Sequence, residues 1–530
     1  MAIHESIRLS IADNAAFSTL FLILAPFLVT IFYIRHVFKP VGLRPTIDGR
    51  RPILPKGPEG VPLFGNLLQL SRQRHQAGAM TAMLRRLSQY GEMTTLHLGS
   101  KTWVLLNSHR VVTELIAKRG SMTNGRSPMP VSSGIVSRHG RSLLLPPDGW
   151  TERRRVMHHL LNGTALKQYG EWQETESTLM MAQYLLQPHL WYRHHYSYAN
   201  SVVHRIALGE RVRMSSQDLK DLQDVVTTFV GSIGSSMVDW FPELDSLPRP
   251  LHFWRPYWSK IDRWNHSVYR KWWDPVRNRI DDGSAPQSFV RDVLLHPDSA
   301  FRGSDQDAMY VAMQLIEAGS DTTREVLNTF IMASIRYPET FRKLRAEVDE
   351  LCDKDGVLRY PVLNDMEHLP YACASIKELL RWRPIFPLTP DHCLTQDLEF
   401  EGYIFPKGTG FVINGIAISD ECDNPNLYRP ERFIDGYEMD VAHGIWQFGG
   451  GRRICVGYRL AQRGLLINIA RLALAFDFAA VRHLDDTKLN HHLTSEPFPV
   501  RVLMRSPRHE KLILKEAMEA DVLETARLDI

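Results

Sequence analysis

Hydrophobic positions fall into two regimes along this chain. From Asn14 to Ile34, twenty-one residues carry no Asp, Glu, Lys, Arg or His, and Phe17, Leu20, Phe21, Leu24, Phe27, Leu28 and Ile31 recur among them. A helix of that length spans about 30 Å, one hydrocarbon core of a bilayer. Arg35, His36, Lys39, Arg44, Arg50 and Arg51 follow. Positive charge on that side predicts a retained anchor with the bulk of the chain in the cytosol. A cleaved signal peptide would have a basic leading segment and a shorter apolar run, whereas Glu5, Arg8 and Asp13 precede this one. Pro26 is tolerated in a bilayer span. The expected division is a lumenal tail over 1–13, an anchor over 14–34, a basic and proline-rich hinge over 35–66 and one large domain over 67–530.

Beyond residue 34 the pattern is that of a water-soluble protein. In the hinge, Pro52, Pro55, Pro58 and Pro62 alternate with Gly57, Gly60 and Gly65, which favours extended, semi-rigid spacing. Glu92 to Leu106 reads as a strand, a turn at Gly99-Ser100 and a second strand. From Trp150 to Ala346 the periodicity is mostly helical, with a break at Pro248, Pro250 and Pro256. The longest predicted helix runs from Ser304 to Arg336. Ser304 and Asp307 form a capping signature and Pro338 lies past the end. At 1.5 Å per residue it is about 50 Å long, a length suited to crossing one face of a cofactor.

Composition alters this picture little. Hydrophobic residues make up 44% and charged residues 23% of 530, enough for a sizeable core. The net charge of +4 comes without a dense basic block interleaved with aromatics, which argues against a nucleic-acid partner. The five cysteines are odd in number with no C-x-x-C spacing, so neither a disulfide framework nor a zinc site is expected.

Four constellations carry candidate chemistry. The first is Phe448-Gly449-Gly450-Gly451-Arg452-Arg453-Ile454-Cys455-Val456-Gly457. Its glycines, Gly451 and Gly457 among them, let backbone approach a flat ring. Arg453 can pair with a carboxylate, and Cys455 can present a thiolate to a metal. A helix beginning after Cys455 would stabilise that thiolate. The bland alternative is a buried structural cysteine. The second is Ala318-Gly319-Ser320-Asp321-Thr322-Thr323 inside the long helix. Gly is unfavourable there, and a threonine hydroxyl that bonds back to a carbonyl can open the ladder. The third is Glu378 and Arg381, i and i+3 on one helix face, followed by Pro430-Glu431-Arg432-Phe433. Taken alone, Glu378 and Arg381 are a surface ion pair. The fourth is Trp150 and Arg154, i and i+4 on one face.

Together these segments resemble the cytochrome P450 monooxygenases, from anchor and hinge to the strand near Pro499–Met504. The resemblance implies a mainly α fold with a small β-rich region near the amino-terminal side and an N-terminal transmembrane helix. It implies haem (iron protoporphyrin IX) with Cys455 as the axial thiolate, which favours O–O cleavage. Phe448, Gly451 and Gly457 would shape the haem loop, and Arg453, Trp150, Arg154 and His392 would meet the propionates. Asp391 stands where the family often has proline. Asp321 and Thr322 would be the acid-alcohol pair that supplies protons for dioxygen cleavage. Glu378, Arg381 and Arg432 would form a buried structural triad.

The resemblance places a substrate pocket at Met313, Ile316, Ala318, Gly319, Ile385, Phe386, Leu388 and Phe498. Glu317 faces either that pocket or an arginine; the sequence leaves both open. The implied activity is insertion of one oxygen atom into a small apolar substrate. Electrons would come from NADPH-cytochrome P450 reductase, with cytochrome b5 as a further donor, because the chain has no G-x-G-x-x-G unit of its own. Arg153, Arg155 and Arg452 are candidates for docking the reductase. The expected location is the endoplasmic reticulum membrane. The segments 460–463 and 468–471 look most like fungal members from natural-product pathways. Two alternatives remain on the same scaffold: a reductase-independent isomerase or lyase, and a non-catalytic haem sensor. The acid-alcohol pair argues against both.

Overall fold

The computed structural model describes residues 36–73, 78–161, 163–212, 217–485 and 497–528. The apolar segment 14–34 lies outside the described residues, as do His491-His492 and most of the stretch before Phe498. Among the described residues no helix is long and apolar enough to cross a membrane.

Helices dominate. In chain order the elements that position the site are β1 (Met93–Leu98), β2 (Lys101–Leu106), α1 (Pro147–Met157), α2 (Gly163–Leu186), α3 (Trp191–Leu208), α4 (Gln217–Ser232), α5 (Arg255–Asp281), α6 (Asp305–Arg336), α7 (Pro338–Cys352), α8 (Pro370–Trp382), β3 (His392–Cys393), β4 (Gly410–Ile413), α9 (Tyr458–Ala475), β5 (Phe476–Ala480) and β6 (Val500–Met504). The hairpin forms where the alternation placed it, with Met93 opposite Leu106 and Leu98 opposite Lys101. The proline break also forms, as short turns over 242–251 ahead of α5.

The β-rich region is not confined to the amino-terminal side. β2 pairs in parallel with β4, and β3 closes the order β1-β2-β4-β3. A single antiparallel bridge, Gly125 with Cys393, then ties the 124–127 segment to β3. Strands of two residues carry no readable alternation, so the sequence pattern missed this return.

The central element is α6. Ser304 Oγ accepts from the Asp307 amide at 3.2 Å, and the Asp307 carboxylate accepts from the Ser304 amide at 2.9 Å. This closes a capping box. Its main packing partners are α3, α9 and α7. Met313, Ile316, Leu327 and Ile331 are fully buried there, and burying each such side chain contributes about 1.5–3 kcal/mol.

Candidate functional site

The decapeptide 448–457 forms a tight loop. The Cys455 amide donates to the Phe448 carbonyl at 2.8 Å and closes it. Gly451 has φ +58°, and a Cβ there would lie 2.2 Å from the Ile116 carbonyl oxygen. Only glycine meets both conditions. Gly457 is the N-cap residue of α9. Cys455 is accessible to water, yet protein packs around its thiol so closely that desolvation raises the thiol pKa. The Gly457 backbone and the Arg154 charge oppose that rise. The thiol therefore faces an internal cleft.

Midway along α6 the burial pattern opens. Ile316, Glu317 and Ser320 are buried, Ala318 is exposed, and Asp321, Thr322 and Thr323 are half-buried. Thr322 Oγ1 donates to the Ala318 carbonyl at 3.0 Å. This back-bond forms, but the helix stays α-helical through it; the ladder does not open. Asp321 pairs with Arg324 Nη2 at 3.0 Å. Gly319 permits a close helix crossing. A Cβ there would sit 2.2 Å from Val203 Cγ1 on α3.

A cluster of cations gathers beside the cysteine loop. Arg453 donates to the carbonyls of Asn124 and Leu145 at 2.7–2.9 Å and stacks 4.1 Å from the Trp150 ring centre. Its Nη1 is buried with no hydrogen-bond partner. Burial first, then Arg126 and Arg154, bring its pKa down to about 9. Arg154 lies 5.9 Å from the same ring, and burial lowers its pKa. His392 Nδ1 lies 3.1 Å from the Thr123 carbonyl oxygen, and burial plus Arg126 and Arg453 drives its pKa to about 3.

Arg126 joins this group, placed there by the Gly125–Cys393 bridge, and donates to the Asp391 carbonyl at 2.5 Å. Sequence reading missed it, because its partners are distant in the chain and follow no spacing rule. The nearest carboxylate, Asp391, is taken by the Ser127 hydroxyl. The cluster thus has excess positive charge and a free donor. Trp150, Arg154, Arg453, His392 and Arg126 together fit the two carboxylates of a haem, with the Cys455 thiol available as the metal ligand.

The other buried arginine group carries its own counter-charge. Arg381 grips Glu378 with two bonds at 2.7 and 2.8 Å and spends its remaining donors on the carbonyls of Ser419, Pro425 and Leu427. Arg432 Nε lies 3.4 Å from Glu378, and the Arg429 amide donates to the same carboxylate at 2.8 Å.

The remaining candidates differ in burial. Met313, Ile316, Ile385 and Phe498 are buried in the core, with Phe498 5.2 Å from the Trp191 ring. Leu388 is half-buried and Phe386 exposed. Glu317 turns to an arginine: Arg141 holds it at 2.9 and 3.1 Å, and the Tyr269 hydroxyl donates to it. Of the docking candidates, Arg153 is not free. It pairs with Asp307 and bonds the carbonyls of His139 and Gly140, while Arg155 and Arg452 are exposed.

Comparison with known proteins bears on the whole chain. A family model described as Cytochrome P450 matches residues 55–504. A cytochrome P450 monooxygenase of Aspergillus ruber is 28% identical over 501 residues, covering 89% of this chain and 91% of that one. Another, of Aspergillus aculeatus, is 30% identical over 495 residues, covering 89% and 92%. Among solved structures, a zebra fish cytochrome P450 with abiraterone aligns with a TM-score of 0.62 at 22% identity, over 80% of this chain and all of that one.

Proposed function

Since the chain belongs to the cytochrome P450 family and is thereby a haem-thiolate monooxygenase acting on an organic substrate with a redox partner, we propose that Cys455 is its thiolate ligand and Asp321 with Thr322 its proton relay. The observation that carries this is the pairing of an accessible, enclosed Cys455 thiol with an adjacent cationic cluster that has a free buried donor. Haem bound there supplies dioxygen activation. Arg453, Arg126, Arg154, Trp150 and His392 would hold its carboxylates and orient it. On α6, Thr322 Oγ1 holds a proton at the edge of the cleft. Asp321, half-buried and paired with Arg324, moves protons between that hydroxyl and the outside. The overall change inserts one oxygen atom into a C–H bond or double bond and reduces the other to water, consuming two electrons and two protons.

The finer reading is that the substrate is a small apolar molecule of fungal secondary metabolism, supported by similarity to fungal monooxygenases. Residues 67–530 form the catalytic domain, 14–34 anchor it to the endoplasmic reticulum membrane from a lumenal tail over 1–13, and 35–66 serve as the hinge. NADPH-cytochrome P450 reductase, with cytochrome b5 as a second donor, delivers electrons near the exposed Arg155 and Arg452.

The test is the carbon monoxide difference spectrum of the reduced protein. A strongly red-shifted Soret band that disappears in Cys455→Ala is expected. A band that survives in the variant refutes the assignment of Cys455.

A further inference from the structure

Just past Thr322 the long helix α6 carries two further buried charges. Arg324 and Glu325 are each 4% exposed. Arg324 Nη2 lies 3.0 Å from Asp321 Oδ1 and 3.5 Å from Glu325 Oε1. One guanidinium nitrogen therefore stands between two carboxyl groups. A guanidinium keeps its proton inside a protein, so the group holds one fixed positive charge. With both carboxyls ionised it would be net negative, and a buried unanswered charge is costly. With one ionised it is neutral. Two carboxyls on one site also take up protons in coupled steps rather than separately.

The surroundings decide which carboxyl keeps a proton. The Asp321 side chain is 22% exposed and that of Glu325 only 5%. Burial raises the Glu325 pKa well above the usual carboxylate range; Arg324 opposes the rise and Asp321 adds to it. The facing elements leave this balance in place. On α3, the Tyr196 ring centre lies 5.7 Å from the Arg324 guanidinium, and burial, then Asp321, raise the pKa of its phenol. His194 and His195 on the same helix are pushed by burial down to about 4 and about 3, and so stay neutral. On α4, Asp224 acts on the Tyr196 phenol, but half its side chain is exposed and it pairs with Lys220 at 3.2 Å. Glu317, one turn earlier on α6, is held by Arg141.

We propose that Arg324 and Glu325 are positioning residues for the proton relay: Arg324 fixes the Asp321 carboxylate, and the two carboxyls share one proton across its guanidinium. The proton rests on Glu325 while Asp321 is ionised. When the proton moves to Asp321, Glu325 becomes the anion that answers Arg324. When Asp321 passes it on through Thr322, one proton taken up from water restores the resting state. Each cycle thus moves one proton in and one out. Paired with Arg324 alone, Asp321 would be held ionised and would be a poor acid. The proposal rests on the assignment of Asp321 as the relay acid.

Infrared spectra of the full-length, haem-loaded protein at neutral pH read the shared proton. The unaltered chain should show a protonated-carboxyl C=O band that shifts in heavy water and is missing from Glu325→Gln. The same band should vanish in Asp321→Asn, because Glu325 then becomes the counter-charge of Arg324 and ionises. No band lost in Glu325→Gln, or a band that persists in Asp321→Asn, overturns the shared proton. Oxygen uptake driven by NADPH and a cytochrome P450 reductase, with no organic substrate added, reads the relay. In Glu325→Gln it should fall about tenfold, the equivalent of one pKa unit at Asp321, with haem content and melting temperature unchanged. Unchanged uptake in Glu325→Gln beside a fall in Asp321→Asn overturns the positioning role. Unchanged uptake in both variants refutes Asp321 as the relay acid, and the infrared bands still decide whether the proton is shared.

Discussion

Two groups of buried arginines sit within this molecule, and they are built on opposite plans. Around Glu378 the positive charge meets a carboxylate inside the chain, although Arg432 Nε, 3.4 Å away, makes no hydrogen bond. One carboxylate accepts from Arg381 twice and from the Arg429 amide, with Arg432 beside it. Around Arg453 the answer is withheld. Three guanidiniums and a histidine meet with no free carboxylate, and one buried N–H has no partner. A closed buried ion pair resists disruption strongly, while an open one is costly until a ligand completes it. The first plan suits a strut and the second a socket.

Removing the carboxylate of the strut should have the largest effect. Glu378→Ala leaves Arg381 and Arg432 facing each other with no counter-charge, and about 3–5 kcal/mol of stability should be lost. Urea unfolding and the carbon monoxide spectrum should both report it, the second as lost haem. A variant with full haem content would place the strut in the wrong class.

Next is Asp321→Asn, which alters the charge of the proposed proton relay rather than of either group. Turnover should fall about a hundredfold with haem content and melting unchanged. Electron flow from NADPH measured against product formed will show whether proton supply is what failed.

The socket should respond the other way round from the strut. Arg154→Met, at a residue whose Nε donates to His158 at 3.3 Å, should lower haem affinity by about 10–100-fold, the loss of one charge-assisted bond of about 1.5–3 kcal/mol. The haem-free protein should barely change its unfolding midpoint. Equal losses with and without haem would erase the distinction between the two plans.

The smallest effect tests a third kind of buried group, one kept neutral. His195 lies within bonding distance of Asn328 and Tyr184, and burial drives its pKa down to about 3. Below its unfolded pKa, near 6.5, only the unfolded chain takes up its proton. Stability therefore falls as pH drops from 6.5 toward 3, at up to about 1.4 kcal/mol per pH unit. In His195→Gln the loss of stability between pH 6.5 and 5.5 should shrink by about 1 kcal/mol.

What the sequence revealed follows from the range of the interactions involved. The cysteine loop and α6 are local: glycine spacing, capping residues and helical periodicity all lie within one segment. Trp150 and Arg154 share a helix for the same reason. Arg126 and Arg141 were not legible, because their contacts cross the chain. Arg453 bonds an Asn124 carbonyl 329 residues away, and Arg141 finds Glu317 over 176. Arg432 was found only through family resemblance, since no periodicity links it to Glu378. The crossing of α3 over α6 at Gly319 was not legible either, because Val203 lies over a hundred residues away. Lys101 carries no signal in the sequence; it is buried beside the Trp240 ring, far along the chain.

The central helix works like a keyed shaft. Its 32 residues are locked at one end by the Ser304 cap and pressed at Gly319 into Val203. Each residue turns the shaft by about 100° and advances it by about 1.5 Å. One residue inserted between Ser304 and Gly319 would bring a side chain onto Val203 and turn Thr322 more than a quarter-turn away from the direction it now faces. Side chains along α6 can be exchanged one by one, but the number of residues between Ser304 and Thr322 cannot change, because angular phase is what delivers the hydroxyl to its place.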